Sequence, residues 1–255
     1  MSPYSESISV VKTSKFFEVV SLSNLKSCLR DLFRKGQSSQ LLMQRAAAEL
    51  KNFGRPGVLA LVAEILNNEE LLISVASQSY LHKNGFLKIL LLKEQDFRVR
   101  LHIWMPETDS KETLHNHCWY LASTIVNGKL TSEIWQDSIS ENSDFFDEYL
   151  YRGKFVAPVL MGKARVELLG VNTRSAGEAY VLEPHVLHKI VSNEGQMAAT
   201  LICRSNDVRV WSRNIILNEK IPDVKPHYLS PEQLKNYLNR YLLLDAEERK
   251  AALIH

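Results

Sequence analysis

Cysteine is scarce. Cys28, Cys118 and Cys203 are odd in number and widely spaced in a chain of 255 residues, which excludes a disulfide framework and fits a reducing cytosol. Long apolar runs are absent, and the opening Met1-Ser2-Pro3-Tyr4-Ser5-Glu6 contains none, so neither a secretory signal nor a membrane-spanning helix is expected. Neither sign of charge dominates. With 31 basic and 29 acidic residues the formal net charge is +2, so no global field draws in nucleic acid or an anionic membrane. Glycine at 10 and proline at 8 are too few for a loop-rich or low-complexity chain, and 45% hydrophobic with 24% charged residues is ordinary for a globular protein. A cytoplasmic location and one barrel-type domain with additions are expected at this length.

Residues 21–77 read as helical. Ser23 is placed to cap a segment in which Leu25, Cys28, Leu29 and Leu32 recur at helical spacing, and Gly36 to end it. A second helix, 39–53, stops at the breaker Gly54-Arg55-Pro56-Gly57, and further helices at 58–66 and 69–75 are split by Asn67-Asn68. The tail is helical again. Ser230-Pro231-Glu232-Gln233 offers a cap, a first-position proline and a capping partner, and Asp245-Ala246-Glu247-Glu248 repeats the device. Leu234, Tyr237, Leu238, Tyr241 and Leu242 form its apolar stripe.

From Tyr80 the period changes. Two strands, 85–92 and 97–104, flank the polar turn Lys93-Glu94-Gln95-Asp96. The second alternates cleanly, with Val99, Leu101 and Ile103 on one face and Arg98, Arg100, His102 and Trp104 on the other. In a barrel flanked by helices, the apolar face packs outward and Arg100 and His102 look inward. Further strands are expected at 119–126, 130–136, 148–154, 155–161, 164–169, 179–182, 188–191 and 198–204, with 137–147 an exposed acidic loop. Many short strands with frequent turns point to a sandwich or barrel.

Histidine supplies the chemistry. On a strand, His115-Asn116-His117 would turn both imidazoles to one face, as two neighbouring metal ligands require. A lone His-x-His is common and usually inert, but Glu183-Pro184-His185-Val186-Leu187-His188 adds a second run, and a closed barrel can bring His188 to the pair. Asn127-Gly128 is a hairpin turn that closes the strand after the pair. Three neutral imidazoles would hold a divalent first-row ion with positions left open. Cys118 would point away from that side.

These features resemble the cupin superfamily, whose jelly-roll barrel carries a His-x-His motif ending in Gly and a second motif with Pro before a histidine. His115, His117 and Gly128 match the first motif in spacing; 183–188 is similar to the second, with its Gly missing and its spacing shortened. The resemblance covers residues 80–213. It implies a mainly β fold, a cupin-like jelly-roll barrel over 80–213 with an N-terminal helical region, 1–79, and a C-terminal helical tail, 214–255. Many cupins place a glutamate ligand four or five positions after the second histidine, where this chain has Leu121 and Ala122. The same omission is found in three-histidine iron cupins such as the cysteine (thiol) dioxygenases. Their cysteine and its crosslinked tyrosine would fall near Ala122 and near Cys203 or Arg204, and neither is retained, so cysteine as substrate does not carry over.

The resemblance implies His115, His117 and His188 as metal ligands and Fe(2+) as the ion, ahead of Zn, Mn, Ni or Cu. It implies a dioxygenase, an oxidoreductase acting with dioxygen on a small anionic metabolite such as a thiol or amino acid. Arg100 and Arg204, with Arg98, are candidates to pair a substrate carboxylate, and Tyr120 or His185 to donate a hydrogen bond. The alternatives are a non-catalytic cupin that binds a small ligand or metal, and a metal-dependent isomerase or hydrolase. The partners expected are a small molecule and dioxygen, with no nucleic acid and no membrane; a homodimer stays open.

Overall fold

The computed structural model describes residues 21–34, 39–82, 84–107, 112–141, 144–152, 157–191, 195–217 and 226–252. Gly36 lies outside them, as do residues 153–156, where one expected strand ends and the next begins.

Three helices lead among the described residues: α1 (Leu22–Arg34), α2 (Gln40–Asn67) and α3 (Glu69–Ala76). Ser21, not Ser23, caps α1, its Oγ accepting the Asn24 amide at 3.2 Å while Ser23 lies inside the helix. Ser39 caps α2 through the Leu42 amide at 3.3 Å, and Asn68 caps α3 through the Leu71 amide at 3.0 Å. The Gly54-Arg55-Pro56-Gly57 breaker kinks α2 rather than ending it. Gly54 alone leaves helical geometry, at φ 51° and ψ −161°, and Pro56 then sits in a restarted first turn, where a missing N–H costs little.

Twelve strands follow among the described residues. They are β1 (Tyr80–Leu81), β2 (Leu87–Lys93), β3 (Phe97–Trp104), β4 (Leu114–His115), β5 (Leu121–Asn127), β6 (Lys129–Asp137), β7 (Phe145–Tyr151), β8 (Val159–Ser175), β9 (Ala179–Leu182), β10 (Leu187–Val191), β11 (Ala198–Ser205) and β12 (Ser212–Ile216). The expected strands at 155–161 and 164–169 are one, β8. Its Gly162 and Gly170 sit at register shifts against β7 and β6, so they bend the strand where the sequence suggests a break. The acidic loop is also shorter than expected, because β7 begins at Phe145.

The pairings define the fold. β3 pairs β11, β4 pairs β10, β5 pairs β9 and β6 pairs β8, so each strand of the first half meets its mirror in the second. A long hairpin wound on itself in this way is a jelly roll. β11 also pairs β5 and β10 pairs β6, giving two antiparallel sheets, β1-β2-β3-β11-β5-β9 and a closed β10-β4-β12-β7-β8-β6. The protein is thus a mainly β jelly-roll barrel with helices before it and one after. Gly128, at φ 65°, makes the β5–β6 turn, and a Cβ there would meet the Met197 carbonyl oxygen at 2.1 Å, so only glycine fits.

The alternation of β3 decides which way each side chain goes. Val99, Leu101 and Ile103 are fully buried in a cluster with Leu50, Leu61 and Ile65 of α2, as a helix-covered outer face requires. Each such side chain contributes about 1.5–3 kcal/mol of burial. Trp104 packs the other way, with Phe86, Ile125, Leu130 and Ile190.

The last helix, α4 (Pro231–Ala252), carries the expected capping box: Ser230 Oγ accepts the Gln233 amide at 3.1 Å and Gln233 Oε1 the Ser230 amide at 2.8 Å. Asp245 starts no second helix. It is fully buried and accepts from Arg55 Nε at 2.7 Å and Asn127 Nδ2 at 2.8 Å, while Tyr241 donates to Asn127 Oδ1 at 2.6 Å. The helix is thereby fastened to α2 and β5. Among the described residues no helix is long and apolar enough to cross a membrane.

Candidate metal centre

His115 ends β4 and stands opposite His188 on β10. His117 lies two residues beyond β4, not within a strand, and is held by other means. Asn116, almost fully buried, exchanges two hydrogen bonds with the Arg213 backbone of β12, its amide donating at 3.1 Å and its Oδ1 accepting at 2.7 Å. The His117 amide then donates to the Pro184 carbonyl at 3.3 Å, which fastens the first histidine run to the second. Arg213 is itself fixed by a bidentate pair with Asp137 at 2.8 and 2.9 Å and by Glu148, which raise its pKa.

The three rings converge. Centroids are 4.6 Å apart for His115 and His188, and 4.9 Å for His117 with each of the others. One ring nitrogen from each lies within 4.8 Å of the rest, and no other metal-capable group of three His, Cys, Asp or Glu is present among the described residues. Bonds of about 2.0–2.1 Å to one ion at tetrahedral angles put two nitrogens about 3.4 Å apart, so the rings would draw in by up to about 1.4 Å to share it.

Tautomers are set from behind. His115 Nδ1 lies 2.8 Å from the Thr113 carbonyl and His188 Nδ1 3.2 Å from that of Val186. A carbonyl can only accept, so each Nδ1 carries the proton and each Nε2 presents its lone pair. Burial pushes the pKa of His188 down to about 3, with the neighbouring His115 adding to it. His117 is lowered well below the ordinary value, by burial first and then by His115 and His188. The neutral rings of His117 and His188, with His115 beside them, suit a divalent first-row ion.

Beside this centre stands Trp119, stacked on His117 with centroids 4.8 Å apart. Arg204 and Arg100 both approach the indole, at 4.2 and 5.9 Å from its centroid. Arg204 donates to Asp207 Oδ1 at 2.7 Å. Arg100 is buried, and no protein acceptor meets its guanidinium among the described residues. Burial pulls its pKa to about 10, which still leaves it a cation at neutral pH.

The other candidates fall elsewhere. Tyr120 packs against the apolar cluster beneath the helices, because strand alternation turns it to the outer face. His185 is exposed and 3.7 Å from Glu183, and Cys118 is buried with a thiol pKa raised by burial. His102 faces inward, against Phe86 and Trp104. Ala122 and Cys203, the positions nearest the crosslink of cysteine dioxygenases, are cross-strand partners in the helix-side cluster, away from the histidines. Trp119 is absent from the expected site; its place two residues after His117, at the same spacing as His115 to His117, is the signal for it.

The chain matches no protein-family profile and no curated protein. Among solved structures it is similar to an RmlC-like cupin from Shewanella frigidimarina, with 12% identity over 52% of this chain and 86% of that one, at a TM-score of 0.33. It is also similar to the cupin domain of Cnp3 from Schizosaccharomyces pombe, with 10% identity over 48% and 61% and a TM-score of 0.29. Hydroquinone 1,2-dioxygenase from Sphingomonas sp. TTNP3, with 4-hydroxybenzoate bound, gives 9% identity over 48% and 66% at a TM-score of 0.31.

Proposed function

We propose that the protein is a mononuclear non-haem iron dioxygenase acting on a small anionic metabolite. The observation that carries this reading is a trio of imidazoles with no carboxylate in their set, next to a buried arginine that has no protein acceptor among the described residues. His115, His117 and His188 would hold the metal. A ferrous ion on three neutral ligands supplies open positions and Lewis acidity for dioxygen and an anionic donor.

The chain's own residues do the rest. The Thr113 and Val186 carbonyls keep the His115 and His188 tautomers fixed, so that neither ring must change tautomer on binding. Arg100 offers a paired set of N–H donors to a carboxylate or comparable anion, in a setting where burial strengthens the attraction. Leu121, where many cupins carry a fourth ligand, is buried and contributes no competing charge. Trp119 shields one face of His117 from water.

The test is oxygen uptake by iron-loaded protein against a panel of thiols, amino acids, keto acids and small phosphate monoesters. Uptake that requires both iron and an anionic substrate supports the reading. Iron bound tightly with no uptake across the panel overturns the enzymatic reading in favour of a binding protein.

A further inference from the structure

Beyond the eight-strand roll, β1 and β2 lengthen the first sheet, and a cavity of about 440 Å³ opens over the inner face of this extension. Five basic side chains line it, Lys88, Lys93, Arg98, Arg100 and Arg204, with Tyr80 and Tyr228 at its wall and no acidic residue in the described lining. A chain of net charge +2 has no general surplus of cations, so this is a local concentration.

The register makes the crowding severe. Lys93 stands opposite Arg98, and Arg98 opposite Arg204, so three cations form one row across β2, β3 and β11. Like charges directly opposite on a ladder are destabilising. Asp207 pairs with Arg204, at 2.7 Å. The buried Arg100 meets no protein acceptor among the described residues, and Arg204 Nε is buried without a partner. Ser77 and Gln78 donate to the Ser74 carbonyl. Arg100 and Arg204 are buried cations with donors left unmet, and an anion at the head of the row would complete them.

We infer that this cavity binds a phosphate group, making the substrate a small phosphate monoester whose reacting end extends past Trp119 to the three histidines. The second half of that statement rests on the proposed metal centre; the first does not. One guanidinium satisfies a monocarboxylate, which would leave the remaining cations facing each other. A phosphate monoester brings nearly two charges and three acceptor oxygens at neutral pH, matching several donors gathered on one point. Arg204 and Arg100, which line the cavity, approach the indole that stacks on His117, which sets the cavity one side chain from the histidines.

The experiment is calorimetric titration of the full chain with inorganic phosphate, at an ionic strength fixed with chloride and with malonate as the dicarboxylate comparison. Saturable phosphate binding, weakened at least fivefold in both Lys93→Met and Arg98→Met with melting temperatures unchanged or raised, supports the assignment. No heat beyond the chloride control, undiminished binding in both variants, or malonate binding more tightly than phosphate overturns it. His117→Ala separates the two readings, since it should lose metal and keep phosphate. Failed oxygen uptake therefore leaves the phosphate site standing, and absent phosphate binding leaves the metal centre standing.

Discussion

His188 lies directly across the β4–β10 ladder from His115, and their ring centroids are 4.6 Å apart. A backbone ladder between two strands far apart in sequence thus fixes two of the three candidate ligands, with His117 brought in by the Asn116–Arg213 clamp. If the three rings act together, removing one should release the ion. His117→Ala and His188→Ala are each expected to retain less than a tenth of the wild-type metal content by elemental analysis. His185→Ala, at an exposed position, should retain all of it. Full metal occupancy in either of the first two variants would break the assignment.

The same imidazoles make the metal-free protein sensitive to acid. His188 in the folded state titrates near 3, against an ordinary value of 6.5, and His117 and His102 are shifted the same way by burial. Between those values the unfolded chain binds more protons than the folded one. Stability is therefore fully present above about pH 6.5 and declines as pH falls toward 3, by about 1.4 kcal/mol per pH unit for each such group. Urea unfolding of the metal-free protein from pH 7 to pH 4 should show a steadily falling midpoint. His102→Leu should lessen that slope, and a flat profile would contradict the buried neutral rings.

Asp245 joins α4 to both α2 and β5 with no solvent exposure. Its replacement by alanine removes the buried acceptor that Arg55 and Asn127 share and leaves both with the more exposed Glu248 Oε2, at 3.3 and 3.1 Å; breaking a buried pair costs up to about 3–5 kcal/mol. Tyr241→Phe removes one hydrogen bond to Asn127 and should cost about 1–2 kcal/mol. Chemical denaturation of the two variants checks the order, and Asp245→Ala as mild as Tyr241→Phe would mean that α4 is held by its apolar stripe alone.

The sequence makes some of this visible and hides the rest for identifiable reasons. The alternation from Val99 to Trp104 assigns both faces of β3 correctly, since a period of two is local information. The Ser230 capping box and the two histidine runs are equally local. The continuity of β8 through Gly162 and Gly170 is not, because those glycines sit at bulges that only the partner strands create. β12 carries no strong pattern of its own, yet it is what holds Asn116 in place. Tyr120 has a residue type suited to a site and a strand parity that removes it from one, and parity counts only once the start of β5 is known. The crowding of Lys93, Arg98 and Arg204 is written in the register of three strands and in no single segment.

Arg100 gives the sharpest test of chemistry. It is buried, remains cationic at neutral pH, and sits 5.9 Å from the indole that stacks on His117, so its charge is available to a substrate rather than spent on a protein carboxylate. Arg100→Met keeps comparable bulk and removes the charge. Because the residue is not among the candidate ligands, metal content should stay at the wild-type level. The loss should appear as a rise of at least tenfold in KM, since an anion–guanidinium contact made equally in the ground and transition states lowers KM and leaves kcat alone. Arg100→Lys restores the charge without the paired donors and should recover only part of the affinity. A variant with unchanged KM and kcat would remove Arg100 from the site, and Arg204, at 4.2 Å from the same ring, would be the next cation to replace.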